Sequence, residues 1–290
     1  CVSAGSLVFK VSLNTTYPSG FNAINSRKIG GFHTLCADAG TISEHALTGY
    51  LNKDILPASI WDLKHRPRCN SPAGMRYVSG INLWVDIYQP SGITVAGGEY
   101  SSGSPVSVYG GTILDTMNWM AAVEIAAMAG KRLMYDYEFQ IAAAGANEET
   151  NIAGSADPVT TGGHVDTAGR RMISNTGGED ECGVMWQWLL DQSYRFDGAT
   201  AHTHGVTVSG DPETVTSGNP SGDVAPGWSW ADLPGGKGSL LMQGSSGDVK
   251  LLAGGSWNSG AYCGSRSRYA GGYRWSANTY FGARFAAEPV

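Results

Sequence analysis

The order of apolar and polar positions predicts a chain with many short strands and few helices. Apolar residues alternate with other residues over Met75–Gln89, which predicts one long strand. Shorter β-type runs, separated by turn-forming residues, precede that strand. They are Ser6–Ser12, Arg27–Phe32 and Ser59–Leu63. Residues Gly205–Lys250 are almost all small or polar, and we predict that they form a long loop.

Two segments have helical periodicity. The first helix is predicted over Thr116–Ala129, with Asp115 as its N-cap and Gly130 in the left-handed position after its last turn. The second helix is predicted over Asp136–Ala144 and ends at Gly145. We interpret the apolar residues of the first helix as core residues. They are Met117, Trp119, Met120, Ala121, Val123 and Met128.

The C-terminal segment alternates with period two in two stretches. Ser256–Cys263 and Trp275–Phe281 are each predicted to form a half-buried strand, and Tyr269–Arg274 is predicted to be a turn between them. One row of each strand should face the core. It comprises Trp257, Ser259, Ala261 and Cys263 in the first strand and Trp275, Ala277, Thr279 and Phe281 in the second.

The opposite rows should face solvent, and they are rich in Tyr, Ser, Asn and Gly. This composition is typical of antibody paratopes, where Tyr supplies rigid contact area and Ser and Asn supply adaptable hydrogen bonds. An ordinary polar surface has a similar composition, so the residues alone leave both interpretations open. The outer rows are Ser256, Asn258, Gly260 and Tyr262, and Ser276, Asn278 and Tyr280.

Composition narrows the class of protein. Of the 290 residues 41 are Gly, only 15% are charged and 10% are aromatic, which favours a loop-rich α+β protein over a coiled coil, a disordered chain or a helical bundle. The net charge is −6 without a cluster of Lys and Arg, so no nucleic-acid partner is expected. No run approaches the roughly 18 apolar residues of a membrane helix, so no membrane insertion is expected. The chain starts at Cys1 and soon enters a predicted strand, so we expect that further sequence precedes it.

Residue types that carry chemistry do not form a recognisable motif. The five cysteines are far apart and include no C-x-x-C pair, which favours reduced and mostly buried thiols. Gly235–Ser239 is not a P-loop, because Gly238 occupies the position of the required hydroxyl. His202 and His204 lack further ligands, and we interpret the acidic run Glu179–Glu181 as a solvated loop. No catalytic residue, metal site or cofactor is therefore predicted.

Several short motifs resemble those of the formylglycine-generating-enzyme type of C-type lectin fold. They occur in the same order as in that fold, although Met134 stands where its pattern has a proline. The motifs are Gly130-Lys-Arg-Leu133, Tyr137-Glu-Phe139 with Ala142-Ala143, Val184-Met-Trp-Gln-Trp188, Gly254-Gly-Ser-Trp257 and Phe281-Gly-Ala-Arg284. The resemblance implies an α+β C-type lectin fold for residues 67–290.

A resemblance over nearly the whole chain is to the variable proteins of diversity-generating retroelements, in particular the phage tropism-determinant family. It implies a small β-sandwich-like unit at residues 1–66 before the lectin-like domain at residues 67–290. The motifs that carry it are Arg27-Lys-Ile-Gly-Gly-Phe-His33, Trp61-Asp-Leu-Lys-His-Arg-Pro67, Trp84-Val-Asp-Ile-Tyr88 and Gly264-Ser-Arg266.

In that family the scaffold is constant while selected codons near the C-terminus vary. The resemblance implies a ligand-binding surface at the matching positions, with Tyr273 and Arg274 as further candidates, whereas Phe281 is left out because of its inward parity. The candidate residues are Ser256, Asn258, Gly260, Tyr262, Tyr269, Ala270, Gly271, Gly272, Tyr273, Arg274, Ser276, Asn278 and Tyr280.

The resemblance also implies partners and a location. The expected partner is a host cell-surface protein or another macromolecule, and the expected assembly is a homo-oligomer, a trimer in that family. The expected location is a virion or phage tail tip, or else the surface of a bacterium or archaeon. The chain is not expected to be an enzyme.

Two alternative functions remain open. An oxidoreductase of the formylglycine-generating or sulfoxide-synthase type would need a pair of reactive cysteines or a histidine–carboxylate iron site, whereas Cys263 stands alone in the terminal segment and no His follows His204. A calcium-dependent sugar-binding lectin would need E-P-N and W-N-D patterns that supply oxygen ligands. Here Trp257-Asn258 is followed by Ser259, and no E-P-N occurs.

Overall fold

The computed structural model describes residues 1–195, 229–232, 238–242 and 247–290, apart from residues 4, 14, 15 and 67. The predicted features at His202, His204 and residues 235–237 lie outside this part of the chain. In the described residues, no helix has the length and apolar character that spanning a bilayer requires.

Strands dominate the fold, as the hydrophobic pattern predicts. The helices are α1 (Trp119–Met128) and α2 (Asp136–Ala142), with short 3-10 turns at Pro57–Ser59, Ser79–Ile81, Ala153–Ser155 and Gly260–Tyr262. The strands are β1 (Val2–Ser3), β2 (Ser6–Leu7), β3 (Gly30–Gly31), β4 (Trp61–Asp62), β5 (Met75–Val78), β6 (Leu83–Asp86), β7 (Pro90–Ala96), β8 (Glu99–Ser107), β9 (Arg132–Leu133), β10 (Trp186–Arg195), β11 (Ser229–Asp232), β12 (Ser239–Met242), β13 (Gly247–Gly254), β14 (Gly264–Tyr273), β15 (Phe281–Gly282) and β16 (Phe285–Ala287).

A six-stranded sheet with the order β11-β12-β14-β13-β10-β15 forms the centre of the molecule. Alternate residues of its strands point to opposite faces, so each face packs against a different helix. Leu189 and Leu251 join the buried cluster that contains Phe139 of α2. Trp188 and Leu252, their neighbours in sequence, join the cluster that contains Ile125 of α1. A four-stranded sheet with the order β5-β6-β16-β9 completes this α+β arrangement.

Both predicted helices exist, with different ends. α1 begins at Trp119 rather than Thr116, and Asn118, not Asp115, is its N-cap, because the Asn118 side chain accepts a hydrogen bond from the Ala121 amide. Thr116 has a φ of 54°, which no helical residue adopts. Gly130, with a φ of 67°, ends the helix as predicted.

The apolar face of α1 is narrower than predicted, and α2 is shorter. Met117 and Ala121 are buried as expected, whereas the predicted core residues Met120 and Met128 are exposed. Trp119 and Val123 are half-buried. α2 ends at Ala142, two residues before the predicted end.

Met75–Gln89 is a hairpin, not the single long strand predicted. β5 and β6 pair antiparallel, and the turn between them ends at Asn82 in the left-handed conformation, with a φ of 51°. The Tyr77 hydroxyl donates a hydrogen bond to the Asn82 side chain at 2.5 Å. The prediction failed because Asn favours such turns, while the apolar alternation continues across the turn and hides it.

The predicted loop Gly205–Lys250 contains regular structure in its described residues. β11 and β12 pair antiparallel, and β12 pairs in parallel with β14. Leu240 and Val249 are fully buried there. Small and polar residues around these few apolar positions concealed the strands.

Residues 1–66 form strands that are much shorter than the predicted runs. Among the described residues of this part, the regular strand pairs are β1–β2 and β3–β4. Leu35, Leu47 and Leu56 pack against Tyr88 and Ile173, which lie beyond residue 67. The division into two domains at residue 66 therefore stays a prediction, and many contacts cross it.

Candidate ligand-binding surface

The strands and turns of the C-terminal segment are the reverse of the prediction. Ser256–Cys263 is not a strand but a series of turns that includes the 3-10 turn Gly260–Tyr262, whereas the predicted turn Tyr269–Arg274 lies almost wholly in strand β14. Trp275 to Tyr280 is again a turn segment, and a strand begins only at Phe281.

Close backbone approaches explain why the first stretch turns. Gly254 and Gly255 have φ values of 93° and 86°, which favour glycine. A Cβ on Gly255 would lie 2.6 Å from the Cys263 sulfur, so the loop closes on itself at this point. Alternation of polar and apolar residues in the sequence therefore arises here without a pleated strand.

Strand β14 is polar yet buried, which is why its sequence does not look like a strand. Ser265, Arg266 and Arg268 are fully buried. Each has a partner on helix α2 or in the segment that follows it. Glu148 accepts from the Ser265 amide at 2.9 Å and from its hydroxyl at 2.5 Å, Gln140 accepts from Arg266, and Asp136 pairs with Arg268.

The turn segment from Arg274 to Tyr280 is held by its main chain. Three of its carbonyl groups accept hydrogen bonds from amides of the surrounding scaffold. These bonds are Trp119 N to Arg274 O (3.1 Å), Thr116 N to Asn278 O (3.0 Å) and Trp186 N to Tyr280 O (3.0 Å). Because a main-chain bond does not depend on the side chain of the residue that makes it, the segment can keep its path while its side chains differ.

The preceding loop has similar main-chain anchors at both ends, since the Glu149 amide donates to the Cys263 carbonyl at 2.9 Å, and it also has side-chain anchors. The Trp257 amide donates to the Val184 carbonyl at 2.9 Å. The Ser256 hydroxyl lies 2.9 Å from Asn258 Oδ1 and 2.8 Å from the Ser259 hydroxyl. Ser256 is fully buried, so it supports the loop from within and does not face solvent as predicted.

The candidate residues differ in how far they reach solvent. Asn258, Tyr262 and Arg274 are exposed. The half-buried candidates are Gly260, Tyr269, Gly271, Tyr273, Ser276, Asn278 and Tyr280. Ser256, Ala270 and Gly272 are buried. The prediction that Ser256 faces solvent is therefore wrong, and none of the three can contact a partner from its present position.

Gly272 and Gly271 have little room for a side chain. A Cβ on Gly272 would lie 2.7 Å from the Trp188 ring and 2.9 Å from Leu252. A Cβ on Gly271 would lie 2.7 Å from the Tyr269 ring. Both contacts are tighter than side chains normally make, so substitution here disturbs the packing of the sheet.

Of the residues predicted to face the core, two do so fully. Cys263 is fully buried and Phe281 is 3% exposed, as predicted. Ala261, Thr279 and Trp275 are exposed instead. The other three, Trp257, Ser259 and Ala277, are half-buried.

Trp275 is the residue that sequence reasoning missed. Its side chain is 64% exposed, and its ring stacks on Tyr273 with centroids 5.3 Å apart and planes 5° apart. A signal was present in the sequence, because its period-two partners are the small residues Ala277 and Thr279, which are weak core residues.

Burial suppresses acid–base chemistry at the thiols near this surface. It raises the pKa of Cys263, and the neighbouring charge of Glu148 adds to the effect. Burial likewise raises the pKa of Cys182 well above its usual value. Thiols that stay protonated are poor nucleophiles, so the geometry here does not favour thiol chemistry.

The acidic run Glu179–Glu181 is buried, not a solvated loop. Arg171 pairs with Glu179 at 2.5 Å, His164 Nδ1 lies 2.9 Å from Asp180 Oδ2, and Arg76 pairs with Glu181. The missed signal was the presence of arginines elsewhere that could neutralise the run. Within the residues that the structure describes, no group of three or more His, Cys, Asp or Glu side chains is placed to hold a metal ion.

Fold and surface together define a C-type lectin-like protein whose C-terminal turns present aromatic and amide side chains on a main-chain-anchored frame. The chain is similar to the solved Major Tropism Determinant U1 variant (25% identity, TM-score 0.62) and I1 variant (26% identity, TM-score 0.63). Each alignment covers 95% of this chain and 67% of the solved structure. The α+β C-type lectin fold expected from the sequence is thereby confirmed.

Sequence comparisons agree. Residues 1–62 match the family described as the Mtd second domain. The tail fiber receptor-binding protein of Bordetella phage BPP-1 is 27% identical over 270 residues, which are 88% of this chain. The match spans 61% of that relative's length, less than two thirds of it. The expected resemblance to the tropism determinants is confirmed.

Proposed function

We propose that this chain is the receptor-binding part of a viral adhesin at a phage tail tip, which attaches to a host cell-surface protein through a diversified C-terminal surface. The observation that carries the proposal is the likeness, in sequence and in fold, to a phage tail fiber receptor-binding protein and to tropism determinants over most of the chain. Main-chain anchoring of the turn segment supports it, because this anchoring tolerates changes of side chain.

The contact surface in this proposal is centred on the candidates that reach solvent. Asn258, Tyr262 and Arg274 supply the most accessible side chains, and the half-buried Ser276 and Asn278 flank them. Tyr and Arg are frequent in the residues that dominate binding energy at protein interfaces. Ser256, Ala270 and Gly272 contribute to the scaffold under this surface and not to contacts.

A receptor-binding role is favoured over the two alternatives. The oxidoreductase alternative needs a pair of reactive thiols or a histidine–carboxylate iron site. Burial raises the pKa of both Cys182 and Cys263, and no His follows His204 in the terminal segment. The calcium-dependent lectin alternative needs clustered oxygen ligands next to Trp257-Asn258, where Ser259 supplies only a hydroxyl. We therefore assign no catalytic function to this chain.

We also propose that the chain assembles as a homo-oligomer, a trimer by likeness to its relatives. The supporting observation is the N-terminal segment, which carries large apolar side chains in solvent. Leu7, Phe9 and Val11 are each more than 70% exposed, and Leu13 is fully exposed. A patch of this kind is unusual on a monomer and is typical of a surface that another chain covers.

Deep sequencing of this gene across its source population tests the proposed function. We expect substitutions to concentrate at the codons for Asn258, Tyr262, Arg274, Ser276 and Asn278. The codons for the buried neighbours Cys263 and Phe281 serve as an internal control and should be constant. A terminal segment that is invariant throughout the population would contradict the proposed diversification.

A further inference from the structure

We propose that Trp275, which lies outside the set of candidate variable residues, is a constant aromatic anchor that enters an apolar pocket of a protein target. The inference rests on the proposed function, since it assigns to the same surface a residue that contributes affinity whatever side chains stand at positions 258, 262 and 278.

The exposure of Trp275 is unusual. An indole that is 64% exposed leaves a large apolar area in water. In the part of the chain that the structure describes, Trp84, Trp186 and Trp188 are by contrast almost fully buried. Exposed Trp residues that are held rigidly are among the most frequent dominant contacts of protein interfaces.

The ring of Trp275 is held in place before any partner binds. It stacks on the Tyr273 ring, with planes 5° apart, and Tyr273 itself packs against the buried cluster under α2. The turn between them is closed twice, because the Ser276 amide donates to the Tyr273 carbonyl at 2.8 Å and the Tyr273 amide donates to the Ser276 hydroxyl at 3.1 Å. A side chain that is ordered in advance loses little entropy when it binds.

The scaffold also supports this turn from behind. A Cβ on Gly98, at the tip of the β7–β8 hairpin, would lie 3.0 Å from the Ala277 side chain. The Asn118 amide donates to the Gly98 carbonyl at 2.8 Å, which fixes the tip next to the start of α1. The Trp275 turn is therefore supported by neighbouring elements as well as by the side chains of Tyr273 and Ser276, which are themselves candidate residues.

Charge indicates the kind of pocket that would accept Trp275. The sequence from Leu251 to Ala287 contains no Asp, Glu or Lys and four arginines. Arg266, Arg268 and Arg284 are buried, so Arg274 is the exposed charge of this segment. A target with an apolar pocket and a neutral or acidic rim is complementary to such a surface, whereas a basic rim is not.

Selection from a library of the whole chain tests the anchor. Codons 258, 262 and 278 are randomised, whereas codons 273 and 276 are kept because their side chains hold Trp275. Clones that bind streptavidin or serum albumin, two unrelated probe proteins without a strongly basic surface, are selected. Each selected clone is then measured by surface plasmon resonance with Trp275→Ala, Trp275→Phe or Tyr137→Ala added. Tyr137 is a matched control, because it is 48% exposed, stacks on another aromatic ring, that of Tyr135, and is not among the candidate residues.

We expect Trp275→Ala to weaken most clones by about tenfold or more, Trp275→Phe to weaken them less, and Tyr137→Ala to leave them unchanged. Melting curves with little change would show that the Ala variants are folded. Clones that lose binding when their selected residues are reverted, but not with Trp275→Ala, would overturn the anchor and leave the proposed function standing. Failure to obtain any clone whose binding depends on the randomised positions would overturn the proposed function itself.

Discussion

At the scale of single residues, burial separates the candidates that support the surface from those that can contact a partner. Gly272 lies within strand β14, where any side chain would meet Trp188 and Leu252. We expect Gly272→Ala to lower the free energy of unfolding by about 1–3 kcal/mol, which is typical of overpacking in a core. Ala261→Ser at an exposed position nearby is the control and should change it by less than about 0.5 kcal/mol.

Chemical denaturation of both variants measures this difference. Equal stabilities would mean that Gly272 has room for a side chain, and Gly272 would then return to the candidate contact residues.

A second residue-scale prediction concerns His164. Burial by itself lowers the pKa of this imidazole, but the hydrogen bond and the charge of Asp180 outweigh it, so the pKa is raised. A raised pKa means that the folded state holds the proton more tightly than the unfolded chain does. The resulting stabilisation is complete below the unfolded value near 6.5 and is lost as the pH rises through the folded pKa.

We therefore expect His164→Gln to lower the melting temperature more at about pH 5.5 than at about pH 8.5. His33 and His45 are present in both the parent chain and the variant. The difference between the two melting temperatures at each pH therefore reports on His164 alone. A difference that is independent of pH would show that the His164–Asp180 contact is not an ion pair.

At the scale of elements, the sequence predicted the types of the helices better than their ends, and the terminal segment least well. Period-two alternation over residues 256–263 arises from turns, while the strand β14 carries buried Arg and Ser residues that no hydrophobic pattern reveals. Partners such as Asp136, Gln140 and Glu148 lie more than a hundred residues away in sequence. Long-range pairing of this kind explains why the motif resemblance identified the fold while local patterns misplaced the strands.

Asn118 caps helix α1 and also contacts the β7–β8 hairpin, whose tip supports the turn that contains Trp275. Asn118 accepts from the Ala121 amide through its side chain, and its own amide donates to Gly98. We expect Asn118→Ala to lower the free energy of unfolding by about 1 kcal/mol, and Asn118→Asp to restore most of it, because Asp also caps helices. Urea unfolding measures both, and an unchanged midpoint for Asn118→Ala would contradict the capping role.

The turn segment that contains Asn278 should tolerate loss of a side chain better than the cap of α1 does. Asn278 is held through its carbonyl group by the Thr116 amide at 3.0 Å and by the Phe281 amide at 3.0 Å. Substitution of its side chain should leave these bonds intact, so we expect Asn278→Ala to change the free energy of unfolding by less than about 0.5 kcal/mol. A loss as large as that of Asn118→Ala, measured in the same urea series, would show that the side chain and not the main chain holds the turn.

At the scale of the whole molecule, the large apolar side chains of the first 56 residues fall into a buried group and an exposed group. Apolar residues between Leu35 and Leu56 share a buried cluster with Tyr88 and Ile173, whereas the chain before them exposes Leu7, Phe9, Val11 and Leu13. Burying such side chains stabilises an assembly by roughly 1.5–3 kcal/mol each. Contact with a second copy of the chain would explain why the N-terminal segment carries large apolar side chains at exposed positions.

We expect Phe9→Ser combined with Val11→Ser to shift the chain from an oligomer to a monomer, because two large apolar groups are lost from the contact in every copy. Light scattering after size exclusion measures the mass. The matched control is Met120→Ser with Met128→Ser, which removes two exposed apolar side chains from α1, 43% and 47% exposed, and should leave the mass unchanged. A monomeric parent chain would contradict the proposed homo-oligomer. An oligomer that only the α1 substitutions disrupt would place the assembly surface elsewhere than the N-terminal segment.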